Sequence, residues 1–203
     1  MTTPLTIYAD TYSGHCEKVK FLADHLGIAY RWVHTDIRKK ETQAPAFLAI
    51  NPAGEVPVLE LADGRTLAQS NAILLYLAEG SALIPADALD RGLMHQWLFW
   101  EQVTHGPAVG FLRFQRFLLK MPEDTIDPAL VVRTERALAT LDAHLRDRRY
   151  VVGERLSVAD VALVAYSRRA DQGGMALTQW PSLRAWVQRV EQDLQIPTAL
   201  PAI

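Results

Sequence analysis

Strand-like runs occupy the first third of this 203-residue chain and then stop. "LTIYA" reads as a buried strand, and "YRWVHTDI" as a second. Between them Val19, Leu22 and Leu26 recur at helical spacing, and Gly27 is placed to end that helix. "VPVLEL" and a strand starting near Thr66 flank "ADGR", whose Asp63-Gly64 pair is a hairpin signal. Ser70 then precedes "NAILLYLAE", an amphipathic helix ending at Gly80. The order β-α-β, β-β-α predicts a parallel strand pair extended by an antiparallel hairpin.

No strand signal follows. "GSALIPAD" reads as a linker, so the expected organisation is an α/β domain over 1–80, a linker over 81–87 and an all-helical domain over 88–203. Residues 90 to 120 read as helical, with Pro107 as a kink or break. Trp97, Trp100, Phe111, Phe114 and Leu118 fall on one stripe, which reads first as core and second as a ligand pocket. Asp127-Pro128 supplies the cap and first residue of a further helix, with Leu138, Leu141 and Leu145 on its buried face. "SVAD" begins another helix, where Ser157 and Asp160 can form a reciprocal capping box. Pro181 opens the last helix.

Composition narrows the function classes. Basic and acidic residues number 21 and 23, so no positive surplus favours nucleic acid or an anionic membrane. "MTTPLTIYAD" lacks the pattern of a signal peptide, and no run approaches the roughly 20 apolar residues of a membrane span. A single cysteine, Cys16, excludes an internal disulfide and fits a reducing compartment; a cytoplasmic protein is expected. His25, His34, His95 and His144 show no metal-ligand spacing with His105, so no metal is expected.

Three segments carry chemistry. In "NPAGEVPVLEL", Pro57 stands at the entry to a strand. A cis bond after Val56 would present the Val56 N–H and C=O to an extended peptide; a trans proline at a strand's first residue is the alternative. In "LAQSNAI", Ser70 is a helix N-cap, and a helix N-terminus also holds carboxylates. Gln69 offers an amide that accepts from an ammonium and donates to a carboxylate, so the pair suits the amino-acid end of a small zwitterion. In "ADTYSGHCEK", Ser13 sits between strand and helix with Cys16 within the first turn, and either could do chemistry.

Together these pieces, with "QWLFWEQ", "GERLSVADVALVAY" and "WPSLRAWVQRV", resemble the cytosolic glutathione transferases over nearly the whole chain, and the bacterial, serine-type members in particular. The resemblance implies a thioredoxin-like domain followed by an α-helical domain, a homodimer, and attack of the glutathione thiolate on small hydrophobic electrophiles. Some members of that family instead reduce disulfides, and some are not enzymes.

Carried over by position, Val56 matches the residue whose backbone pairs with the cysteinyl part of glutathione, and Pro57 the family's cis-proline. Ser70 matches the residue holding the γ-glutamyl carboxylate, and Gln69 the one facing the γ-glutamyl amine. Thr42 and Gln43 fall where several classes place basic groups for the glycine carboxylate; Lys39 or Lys40 could compensate. Ser13 matches the thiol activator of the serine-type classes, because Cys16 lies three residues past the position where cysteine-type members carry their cysteine. His15 falls where some serine-type members have an Asn near the thiolate, and reads as a second donor, an imidazolium or a solvated residue. Tyr12, His105 and Phe111, with His15, are the candidates for the electrophile pocket.

Overall fold

The structure, a computed structural model, describes residues 5–197. The chain divides into two compact units, residues 1–81 and 82–203.

The first unit holds β1 (Leu5–Ala9), α1 (Gly14–His25), β2 (Tyr30–His34), the short α2 (Pro45–Leu48), β3 (Val58–Glu60), β4 (Thr66–Ala68) and α3 (Ser70–Leu77). Its sheet runs β2-β1-β3-β4. β1 pairs parallel with β2, with Ile7 opposite Trp32, and antiparallel with β3, with Ile7 opposite Leu59. The β3–β4 hairpin closes through "ADGR": the Leu61 N–H donates to the Arg65 carbonyl at 2.8 Å, and Gly64 takes a φ of +84°. α1 ends as its sequence implies. Gly27 turns left-handed at φ +65°, and the Ile28 N–H returns to the Ala23 carbonyl at 2.9 Å. Ile7, Val19, Leu22, Leu59, Ile73 and Leu74 are fully or almost fully buried and form the core of the unit. Lys18 is buried as well, and its Nζ ties α1 to α3 by donating to Asn71 Oδ1 at 2.7 Å.

Two details of α3 differ from expectation. The helix stops at Leu77, short of Gly80. Ser70 is its first helical residue, and Gln69 occupies the N-cap position.

Among its described residues the second unit contains no strand. α4 (Ala88–Trp100) starts at Asp87, whose carboxylate accepts the Leu89 and Asp90 N–H groups at 2.9 and 3.0 Å. Pro107 does not break the helical path. A π-helix runs over Glu101–Gly110, followed by α5 (Phe111–Arg113) and a second π segment, Phe114–Leu118. A π turn bonds i to i+5 and takes in an extra residue, which shifts the side chains that follow around the axis. The α-helical spacing from Trp97 to Leu118 therefore does not mark one buried face. Trp97 is buried, but Phe111 is 48% exposed, and the buried positions are Met94, Leu98, Ala108, Val109 and Leu112. Gly110 lies against the Tyr166 ring so closely that a Cβ there would stand 2.8 Å from it.

α6 (Pro128–Leu145) is capped by Asp127, which accepts the Ala129 N–H at 2.9 Å, and buries Leu138, Leu141 and Leu145. Every residue of α7 (Val158–Ser167) is buried, which makes it the central helix of the unit. α8 (Pro181–Asp193) packs against α6 and α7 through Leu183, Trp186 and Val190. No helix among the described residues is long and apolar enough to cross a membrane.

Candidate functional site

The β1–α1 turn is built around Asp10, which is fully buried. Its Oδ1 accepts the Tyr12 N–H at 2.7 Å, and its Oδ2 accepts the Ile37 N–H at 3.0 Å. Its own carbonyl accepts the Ser13 N–H at 3.2 Å. Ser13 sits at the N-cap position with extended backbone, and its carbonyl receives the Cys16 and Glu17 N–H groups at 3.0 and 2.9 Å. Its side chain makes no capping hydrogen bond and is partly exposed. A half-buried hydroxyl thus stands at the positive end of a 12-residue helix.

Cys16 lies in the core. It is fully buried and its Sγ accepts the Asp10 N–H at 3.4 Å. Burial pushes its thiol up to about 12, against a smaller lowering by the Ser13 side chain and the Asp10 N–H. Cys16 holds its proton at neutral pH and does not supply a thiolate.

His15 is also corrected in part. Burial, with Lys18 nearby, lowers its pKa to about 3, so the ring is neutral and the imidazolium reading is dropped. Tyr12 lies beneath a residue the sequence did not single out: the Arg38 guanidinium sits 4.7 Å from the centre of its ring.

The same unit carries the Val56–Pro57 bond, which is cis. The loop before it is held by Asn51, whose side chain donates to the Glu55 carbonyl at 2.8 Å and accepts the Ala53 N–H at 3.2 Å. Gln43 packs over Gly54, donating to its carbonyl at 3.3 Å and to the Thr42 hydroxyl at 3.4 Å. Both N–H bonds of that amide are thereby directed within the protein, and Thr42 is buried. Lys39 pairs loosely with Asp36 at 3.7 Å, and Lys40 holds a left-handed turn at φ +59°.

Gln69 is exposed and takes φ +71°, a conformation that costs a non-glycine residue about 1–3 kcal/mol and concentrates at binding sites. Its Nε2 donates to Glu55 Oε2 at 3.2 Å, which leaves the amide oxygen as an acceptor beside a carboxylate. Ser70 is buried at the first helical position of α3.

The helical-unit candidates separate. His105 is fully buried, with Nε2 3.0 Å from the Ser167 hydroxyl, so it belongs to the interior and does not line an open pocket. Phe111 remains half exposed and stacks on Phe114 with ring centres 6.4 Å apart. A groove of about 590 Å³ in this unit is lined by Trp100, Val103, Pro107, Ala137, Arg133 and Arg136, and by neither His105 nor Phe111.

A thioredoxin-like mixed sheet followed by a helical domain, with a cis-proline ahead of β3, defines a class of proteins. The chain belongs to the glutathione S-transferase family: residues 12–79 match the model of the N-terminal domain and residues 116–193 that of the C-terminal domain. It is 40% identical to a glutathione S-transferase from Pseudomonas fluorescens, with 98% of each chain covered and a TM-score of 0.91. The disulfide-bond oxidoreductase YfcG of Escherichia coli is 30% identical over 193 residues, 90% of this chain and 87% of that protein. A glutathione transferase from Pseudomonas putida, solved with one glutathione disulfide bound per subunit, is 26% identical over 96% of this chain and 92% of that one, with a TM-score of 0.81.

Sequence reasoning missed Asp10, Arg38, Asn51 and Glu55. Only Asn51 carried a local sign, the turn-forming Asn-Pro pair. The partners of the others lie up to 27 residues away.

Proposed function

We propose that the chain is a glutathione transferase in which Ser13 stabilises the glutathione thiolate for attack on small hydrophobic electrophiles. One observation supports this above all: the Ser13 hydroxyl stands at the start of α1 without a capping bond. A free thiol titrates near ~8.5, so only a few per cent is thiolate at pH 7. An O–H donated to sulfur and the α1 dipole both favour the anion, and each unit of lowering needs about 1.4 kcal/mol.

In this reading the Val56 main chain pairs with the cysteinyl part of glutathione beside Pro57. The first turn of α3 at Ser70 receives the γ-glutamyl carboxylate, and the Gln69 carbonyl with Glu55 receives the amine. Thr42 shapes the glycine end, and Gln43 acts there through the Gly54 loop. Tyr12 and His15 in the first unit, and Phe111 in the second, are the candidates to meet the electrophile. In the reaction the sulfur's electron pair forms the new C–S bond, a halide or similar group leaves, and the thiol proton has already passed to solvent. Glutathione is the cosubstrate, the assembly a homodimer and the compartment the cytoplasm.

The test is Ser13→Ala. Turnover of an aryl halide at pH 6.5 falls by about 100-fold, as for loss of one donor to a developing anion. The bound thiol, followed by thiolate absorbance, titrates higher, and glutathione affinity changes little. Unchanged turnover removes Ser13 from the chemistry. The similarity to YfcG supports a second reading, glutathione-dependent disulfide reduction. A mixed disulfide turned over faster than the aryl halide would favour it, and because Cys16 is buried, Cys16→Ser would leave that activity intact.

A further inference from the structure

Asp10 makes four bonds around Ser13, and the mechanism above does not use it. Its carboxylate takes the N–H of Tyr12, next to Ser13, and the N–H of Ile37, next to Arg38. Its main chain takes the Ser13 N–H and gives its own N–H to Cys16. Arg38 then lies over Tyr12, closing a ring of contacts from Asp10 through Ile37, Arg38 and Tyr12 back to Asp10.

A turn alone does not require this. Ser, Asn or Asp can each accept the N–H two residues on. What only the carboxylate supplies is a second acceptor, and that oxygen reaches Ile37 on a separate segment. A buried carboxylate is costly unless it is hydrogen-bonded, and here both oxygens are.

We infer that Asp10 is a positioning residue for the thiol-activating hydroxyl: it clamps the Tyr12–Ser13 turn to the Ile37–Arg38 segment and so sets where the Ser13 Oγ stands relative to the glutathione sulfur. This rests on the reading of Ser13 as thiol activator. A hydrogen bond to sulfur depends on placement, and a shift of ~1 Å in a reacting group can lower a rate by about 100-fold.

The experiment is Asp10→Asn. An amide has one acceptor, so it keeps Tyr12 or Ile37 but not both. The thiol of bound glutathione is expected to titrate about one unit higher, with turnover of an aryl halide at pH 6.5 down about tenfold. The dissociation constant of S-methylglutathione, which has no thiol to ionise, is expected to change less than about twofold, as for an interaction absent from ground-state binding. In a Ser13→Ala background the same substitution adds no further shift, because the effect passes through that hydroxyl. Asp10→Ser retains only the turn bond, is expected to give a shift like that of the amide variant, and serves if the amide variant does not fold. An unchanged thiol titration in these variants, with only a lower melting temperature, reduces Asp10 to a structural residue and overturns the inference. So does a shift that adds to that of Ser13→Ala. If Ser13→Ala alone leaves the thiol unmoved, the reading of Ser13 itself fails; a normal Ser13→Ala response with a silent Asp10 removes only the clamp.

Discussion

Ser13 and Ser157 hold the same position, the N-cap of a helix, with the same extended backbone, φ/ψ −82°/119° and −127°/167°. Their surroundings differ. The Ser157 hydroxyl is buried and donates to Asp160 at 2.8 Å. Ser13 is partly exposed, and its side chain makes no capping bond but lies against the Cys16 thiol. The cause is one residue. A capping box needs an acidic or amide side chain three positions into the helix, and α7 has Asp160 there, whereas α1 has Cys16. A thiol that faces the core cannot reach back to the Ser13 main chain as a carboxylate does. The serine whose hydroxyl closes a box is tied into its helix; the one without a box is not.

The strongest way to break this contrast is to remove the acid from α7. Asp160 accepts four hydrogen bonds: the Val151 N–H, the Trp186 Nε1–H, and the Ser157 N–H and hydroxyl, all between 2.8 and 2.9 Å. Burial pushes its pKa above the usual carboxylate range, while those donors pull the other way. Asp160→Ala leaves several buried donors unsatisfied, and we expect a loss of about 3 kcal/mol or more in urea unfolding. A loss under ~1 kcal/mol would show that α7 does not depend on the box.

The contrast was partly legible beforehand. The Asp160 box, the Asp127 cap, the hairpin at Gly64 and the helix stop at Gly27 are each encoded within four residues, because backbone geometry at a cap or turn is a local matter. The π-helical stretch is not local. Pro107 reads as a break, yet packing around buried Gly110 and Ala108 carries the helical path on, and that is why Phe111 and His105 were misplaced relative to the core. At the candidate site, Ser13, Gln69 and Ser70 were visible as residue types. The positive φ of Gln69 and the Asp10–Ile37 bond were not: a residue type does not fix its own backbone angle, and the bond joins residues 27 apart.

Cys16, the residue that replaces the acid in α1, gives the next test. Its thiol is raised from 9.0 to about 12 in the folded state by burial. Between those values the folded chain keeps a proton that the unfolded chain has lost. Stability from the neutral thiol is therefore complete below the unfolded pKa and is lost as pH rises through the folded one. The stability advantage of the native protein over Cys16→Ala should fall by up to about 1.4 kcal/mol per pH unit above 9, with little change between pH 6 and 8. Urea melts of both proteins at pH 7, 9 and 10.5 measure it, since the other titrations cancel in the difference. A difference that stays constant with pH would mean that the thiol is solvated and Cys16 re-enters as a candidate nucleophile.

The smallest effects sharpen the comparison most, because they set the two serines side by side. Ser157→Ala removes a buried hydroxyl that donates to Asp160 and should lower stability by about 1 kcal/mol. Ser13→Ala removes a hydroxyl with no capping bond, from a half-exposed position, and should change stability by less than about 0.5 kcal/mol. Equilibrium unfolding of the two variants in one buffer decides it. If Ser13→Ala is as destabilising as Ser157→Ala, its hydroxyl is a structural cap after all, and any loss of turnover in that variant would have to be read as damage to α1 before it could be read as loss of a donor to sulfur.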